Sequence, residues 1–354
     1  MTLPSSRTTT MLVGSAATVV VLAGIKAASG IVGPVMLALA LTILFHPLRR
    51  RLERRVPVWL ASVTLLVAAV VLLLVLGLSV GVAIAQLAQL VPTYADEFDE
   101  LGASIGSALN ALGVGADQVD EIAAGVDPER VAEAATSVLS DVASLTSSLF
   151  LIVTLLVFFA FDAAKTTDLV AIARMHRPHL VEALGSFARG TRSYFGVSAV
   201  FGLIVAVIDT ALLFVLGVPG AFIWGVLAFV TNFIPNIGFV IGIIPPAIIA
   251  LLEGGPSLMI TVIVLYSAVN VVIQSFIQPR FVGDAVGLST SLTFLSLVFW
   301  AWILGPVGAL LAVPSSLLAR ALLVEADPEE RWRLPLISGE PAEDPRPDLS
   351  GPRR

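Results

Sequence analysis

The chain has 354 residues, 57% of them hydrophobic and 13% charged, and a mean hydropathy of +0.97, a composition that excludes a soluble globular domain and marks an integral membrane protein. It contains no cysteine, which removes disulfides, thiolate metal ligation, iron–sulfur clusters and a cysteine nucleophile from consideration. The net charge of −6 says little by itself, because the charges of such a chain are sorted between two sides of a bilayer.

In chain order, apolar runs fall at about 11–28, 31–46, 57–86, 145–161, 195–217, 221–252, 257–278 and 288–323. Most approach or exceed the roughly 20 residues that a helix needs to cross hydrocarbon, and they lack the strict alternation of lipid-facing barrel strands. The expected fold is all-α: a polytopic membrane helical bundle of about eight transmembrane helices, with broken helices in the C-terminal half. The opening stretch has the basic start, apolar centre and small-residue end of a signal peptide. A second apolar run follows almost at once, so a retained first helix is the expectation.

Charge placement orients the bundle. Arg49, Arg50, Arg51, Arg54 and Arg55 follow the second run, and such a juxtamembrane cluster marks the cytoplasmic side without invoking nucleic acid. Segment 88–142 carries eleven acidic residues against one base, Arg130, and is expected outside as amphipathic helices lying over the bundle. Lys165, Arg174, Arg177, Arg189 and Arg192 restore the positive bias before the fifth run. Eight spans then leave both termini cytoplasmic. The expected organisation is N-terminal membrane helices over 1–87, the acidic segment 88–142, a C-terminal transport core over 143–323 and a disordered tail over 324–354, where proline and charge leave little to bury.

The stretch TNFIPNIGFVIGIIPP, residues 231–246, places backbone-breaking residues inside an apolar run. As one helix, the 32 residues of 221–252 would cover roughly 48 Å against about 30 Å of hydrocarbon. Pro235 removes an N–H and frees carbonyls, while Gly238 permits close approach or an unusual backbone angle. Such breaks are tolerated where they face protein or a watery cavity, and several transporters bind solute there. Asn232, Pro235, Asn236 and Gly238 are therefore candidate path residues; the alternative is a proline kink satisfied by Asn232 and Asn236. Whether 221–252 crosses once or re-enters is left open. The last run carries a second interruption at Gly305, Pro306, Gly308 and Pro314.

Between the two breaks, Tyr266, Asn270, Gln274 and Gln278 recur every four residues as one polar stripe. Such a stripe should avoid lipid, and either lines a solute path or bonds neighbouring helices. Asp209 lies well inside an apolar run, where an ionised carboxylate costs roughly 2.5–3.5 kcal/mol. It is a candidate for proton or cation coupling; a neutral acid bonded to another helix is the plainer alternative. Three scattered histidines make a poor metal site. No phosphate loop, nucleophile–base pair or paired catalytic carboxylates emerge, so no enzyme and no cofactor are expected.

At GVLAFVTNFIPNIGFVIGIIPPAIIALLEGGP and QPRFVGDAVGLSTSLTFLSLVFWAWILGPVGALLAVPSSLLARALL, the chain resembles the autoinducer-2 exporter family of bacterial membrane proteins, also described as PerM-like permeases. Pro235, Gly238, Gly242, Pro245, Pro279, Gly283, Gly305, Gly308 and Pro314 carry the likeness; Ser289 and Thr290 depart from it where many relatives have proline. The resemblance implies an eight-helix protein of the bacterial inner membrane, a homo-oligomer with five copies as the candidate number, moving a small polar solute. It leaves autoinducer-2 export and monovalent-cation/proton antiport both open. A membrane scaffold or sensor that uses the acidic segment is a further alternative.

Overall fold

The computed structural model describes residues 7–90, 148–162, 166–235, 237–278 and 287–339. Most of the acidic segment, Asn236, Pro279, Gly283 and residues 340–354 lie outside them. Every regular element among the described residues is helical. They are α1 (Arg7–Ala27), α2 (Ser29–Leu52), α3 (Val58–Leu90), α4 (Ser148–Asp162), α5 (Thr166–His176), α6 (Pro178–Val215), α7 (Ala221–Thr231), α8 (Gly238–Val271), α9 (Thr290–Leu304), α10 (Pro306–Leu310), α11 (Ala312–Arg320) and α12 (Leu334–Ser338).

By length and composition, Ser29–Leu52, Val58–Gln86, Pro178–Val215 and Gly238–Gln274 can each cross a membrane. Met11–Ala27, Ser148–Asp162, Ala221–Thr231 and Thr290–Leu304 are shorter apolar helices. α6 starts at Pro178, well ahead of the apolar run at 195, because proline suits a first helical turn, where its missing N–H costs nothing. α1 and α3 present apolar side chains outward along much of their length, as a helix in hydrocarbon does. Lys26, at the end of α1, lies 3.8 Å from the centre of the Trp302 ring, a cation–π contact that shelters its charge.

The break in the sixth apolar run reverses the chain. α7 has 11 residues and would rise only about 16 Å, too little to cross. A Cβ on Gly238 would overlap the Thr231 carbonyl oxygen, and Gly242 lies against Thr231 and Ala228. Approaches at 231/238 and then 228/242 run in opposite chain directions, so α7 and the start of α8 form an antiparallel hairpin. The Asn232 N–H bonds the Ala228 carbonyl, the Ile234 N–H that of Thr231, the Ile237 N–H that of Pro235 and the Gly238 N–H that of Ile234. Tyr194 on α6 donates its hydroxyl to the Phe233 carbonyl at 2.8 Å. Backbone groups freed by Pro235 are thus satisfied inside the protein, as burial in lipid demands.

α8 is itself doubled at Gly255, whose φ of 70° and ψ of −171° are not helical. A side chain would be strained at that φ, and glycine is free of the penalty. The reversal is visible in a long-range bond: Gln274 reaches Asn232, which precedes α8, a contact impossible if 238–274 ran straight. Ile249 and Ala250 before the bend share a buried core with Val262 and Tyr266 after it.

The last apolar run also folds back. α9 ends at Gly305, with φ 67° and ψ −150°, and a Cβ on Gly308 would strike the Trp300 carbonyl. Trp300 then donates its indole N–H to Ser316 at 2.9 Å. Residues 288–323, expected as one interrupted span, are a second antiparallel hairpin.

Residues 324–339 correct the expected tail boundary. Ala321–Glu325 continues α11 as a π-helical turn, followed by a 3-10 turn at Pro328–Arg333 and α12. Arg331 bonds the Glu325 carbonyl at 3.1 Å and pairs with Glu182 of α6 at 3.1 Å. The Ser289 backbone N–H bonds the Ile337 carbonyl at 2.9 Å. These contacts hold a stretch with few apolar groups to bury.

Gly238→Ala should loosen the first hairpin, costing about 1–3 kcal/mol as other forced overpackings do. Gly14→Ala, on the open face of α1 with nothing within 4 Å, should leave stability unchanged. Thermal melting of both variants in detergent checks the contrast; equal midpoints would show that the tight approach is not needed.

Candidate functional site

Phe201, Val205, Asp209 and Leu213 are buried at four-residue spacing on α6, the stripe of a helix facing protein. Val262, Tyr266 and Asn270 form the matching stripe after the bend in α8. The stripes meet at their polar members. Asp209, Tyr266 and Asn270 are 0%, 1% and 3% exposed, so none of them faces lipid.

A polar ladder runs from this meeting point to the broken helix. Asn270 donates to the Tyr266 carbonyl at 2.9 Å, one turn back on its own helix. Gln274 donates to the Asn270 side-chain oxygen at 3.0 Å and shares its amide with the Asn232 oxygen at 3.3 Å. Asn232 in turn donates to the Ser198 carbonyl on α6 at 3.0 Å. One end of α7, the returning arm of α8 and the middle of α6 are joined through three amide side chains. Bonds of this kind within a membrane contribute about 0.6 kcal/mol each on average, so the ladder positions these elements more than it stabilises them.

Asp209 is bonded differently. Asn270 and Tyr266 lie beside its carboxylate as its hydrogen-bonding neighbours, and neither carries a charge that would balance an ionised acid. The Asp209 carboxylate and the Tyr266 hydroxyl are enclosed together, where an unpaired polar group is costly. No residue of the ladder or of this group is cationic, so the site offers acceptors, amide donors, a phenol and a carboxyl group. That chemistry suits a hydroxyl-rich neutral solute, a proton or a monovalent cation, and repels an anion.

The structure brings Asn232, Tyr266, Asn270, Gln274 and Asp209 together. Gln278 makes no side-chain hydrogen bond to them among the described residues; it follows the π-helical Val272–Ile277, with its backbone N–H bonded to the Ile273 carbonyl at 2.7 Å. Pro235 and Gly238 form the hairpin tip, and Gly242 packs its arms. Pro245 lies inside α8 and Pro314 is buried on α11. Gly305, Pro306 and Gly308 build the second hairpin, away from the ladder's bonds. The simple kink is corrected in one respect: Asn232 bonds α6 and α8 rather than the carbonyls freed by Pro235.

Sequence reasoning missed Ser198, Tyr194 and Gly202. A Cβ on Gly202 would lie 2.9 Å from the Asn232 amide nitrogen, so its small size makes room for that side chain. Ser198 and Gly202 are four apart, a small-residue pair of the sort that lets membrane helices approach closely; that spacing was the available signal.

Comparison with known proteins agrees with this architecture. Residues 16–326 match the AI-2E family transporter description. The chain is 33% identical to the AI-2 transport protein TqsA of Escherichia coli K12 over 310 residues, covering 86% of this chain and 89% of that one. It is 32% identical over 324 residues to a Haemophilus influenzae protein named only as a candidate for transport, covering 90% and 92% of the two chains. Family match and coverage together place this membrane-embedded helical chain among the AI-2E transporters, the family to which it belongs.

Proposed function

We propose that the protein exports a small, hydroxyl-rich, uncharged metabolite, autoinducer-2 being the leading candidate, across the bacterial inner membrane by alternating access. The observation that carries this reading is the ladder Ser198–Asn232–Gln274–Asn270, which ends on the broken tip of an antiparallel hairpin. Amides that bond one another in a closed site can exchange those bonds for hydroxyl groups of a solute at little net cost. The naming of TqsA as an AI-2 transport protein supports the choice of autoinducer-2. A secondary mechanism fits a chain with no phosphate loop of the GxxxxGK[ST] type.

The basic cluster Arg49–Arg55 supports cytoplasmic placement of that end of the bundle and of both termini. The family resemblance supports a homo-oligomer, with five copies as the number to test. A second reading has its own observation: Asp209 is a fully buried acid beside the uncharged Tyr266 and Asn270, and it would be the group that takes up a proton or cation during antiport.

Purified protein in proteoliposomes should give protein-dependent flux of labelled autoinducer-2, and Asn232→Ala with Gln274→Ala should lower it by roughly tenfold, the loss of about 1.4 kcal/mol. Unchanged flux in the folded double variant would remove the ladder from the path. Under imposed sodium and proton gradients, Asp209→Asn separates the two readings. If ions are exchanged through Asp209, cation-dependent pH changes should vanish in the variant; if wild type shows solute flux and no such pH signal, antiport is rejected.

A further inference from the structure

The hairpin of α7 and α8 is held to α6 in two unlike ways. At its base the helices are locked by close packing: a Cβ on Gly225 would overlap the Thr210 hydroxyl and lie 3.0 Å from the Ala206 carbonyl, and buried Trp224 donates its indole N–H to the Pro219 carbonyl at 2.8 Å. At its tip the polar attachment is made by side chains. Tyr194 donates its hydroxyl to the Phe233 carbonyl at 2.8 Å, and Asn232 donates its amide to the Ser198 carbonyl at 3.0 Å.

Tyr194, Ser198 and Gly202 follow one another at four-residue spacing, so a single face of α6 forms the socket for the tip. The Ser198 side chain is the hydrogen-bonding neighbour of the Tyr194 hydroxyl, which joins the two attachments through one residue. The Phe233 ring lies 6.1 Å from that of Phe195 and 5.4 Å from that of Phe229. Close approach of Gly238 and Gly242 to Thr231 keeps the two arms together, so the tip leaves α6 as a unit or stays.

Asn232 belongs to the socket and to the ladder at once, donating to Ser198 while its oxygen accepts from Gln274. A solute hydroxyl that takes the Asn232 donor takes it from Ser198. Among the described residues, the Tyr194 bond is then the polar tie that remains between the tip and α6. Breaking that bond leaves a carbonyl and a phenol unpaired, which is costly unless water or solute enters. Release of the tip and wetting of the ladder are therefore one event.

We propose that Tyr194 is a positioning residue of the transport cycle: its hydroxyl latches the hairpin tip onto α6, and solute bound at Asn232 works against that latch. The proposal rests on the reading of the ladder as the solute path. The released tip is the state that binds solute, and the latch sets how rarely that state is populated. Apparent affinity is lowered by the same fraction.

The chain contains no cysteine, so one introduced on the tip reports its exposure without background. In Ile234→Cys protein in proteoliposomes, with no solute present, a water-soluble maleimide should react roughly fivefold faster once Tyr194→Phe is added, the factor supplied by one hydrogen bond of ordinary net strength. Ser198→Ala keeps the carbonyl that Asn232 uses; it should give a smaller rise, and it carries the test if Tyr194→Phe does not fold. Thr154→Val, which removes a hydroxyl bonded to the Phe150 carbonyl of its own helix, should leave the rate unchanged. In flux measurements with labelled autoinducer-2, Tyr194→Phe should lower the half-saturating concentration by a factor of about five, whereas a general loosening of the fold would lower only the maximal rate. Labelling unchanged by Tyr194→Phe, or raised equally by Thr154→Val, would overturn the latch whatever the solute is. A half-saturating concentration that stays or rises would overturn it as well. Faster labelling in a protein that moves no autoinducer-2 would support the latch and reject the choice of solute.

Discussion

Backbone N–H and C=O groups within hydrocarbon have no water to fall back on, and this chain nevertheless interrupts its apolar helices at Asn232–Ile237, Gly255 and Gly305. The first interruption is answered inside the protein. There turn bonds close over Pro235 and the Tyr194 hydroxyl takes the Phe233 carbonyl. A hairpin whose tip is satisfied in this way can stop part-way through the bundle. Because it stops there, polar side chains that would be intolerable against lipid find one another, and Asn232 meets Ser198 and Gln274.

The two hairpins use a common device. In each, a glycine just after the reversal brings one arm against a carbonyl of the other, Gly238 on Thr231 and Gly308 on Trp300. Their surroundings differ. The first ends on the polar ladder, whereas the second packs among Leu37, Leu41 and Leu311 and is tied through Trp300 and Ser316. At the foot of the second hairpin Arg320 pairs with Glu325 at 2.7 Å and bonds the Gly287 carbonyl at 2.6 Å. Both partners are 12% exposed, so this pair is sheltered from the screening that weakens a surface bridge such as Arg333–Glu330. Charge is gathered at the ends of the bundle and uncharged polarity, apart from Asp209, in its middle.

Membrane class, the number of apolar runs and the polar stripe were legible in the sequence because they depend on composition and on one helical period. Tyr266, Asn270 and Gln274 could be grouped from their spacing alone, and Asp209 stood out as an acid in an apolar run. Gln278 shares their spacing but makes no side-chain hydrogen bond to them among the described residues. Partnering across elements was not legible: Asn232 and Gln274 are 42 residues apart, and nothing local in either segment names the other. The ordered stretch to Gly339 was missed for a similar reason, because Arg331 finds Glu182 at a sequence separation of 149.

By itself the sequence determined that this chain is a helical membrane protein, which helices must break, and where positive charge gathers, since each follows from local chemistry against a fixed solvent. Only the tertiary structure decided that the breaks reverse the chain. A proline and a glycine free the backbone to bend, but they do not say by how much. The direction came from distant groups: Tyr194 donating to the Phe233 carbonyl, Thr231 packed against Gly238, the Ser198 carbonyl accepting from Asn232 and Gln274 donating to it, each available only once the rest of the bundle is in place.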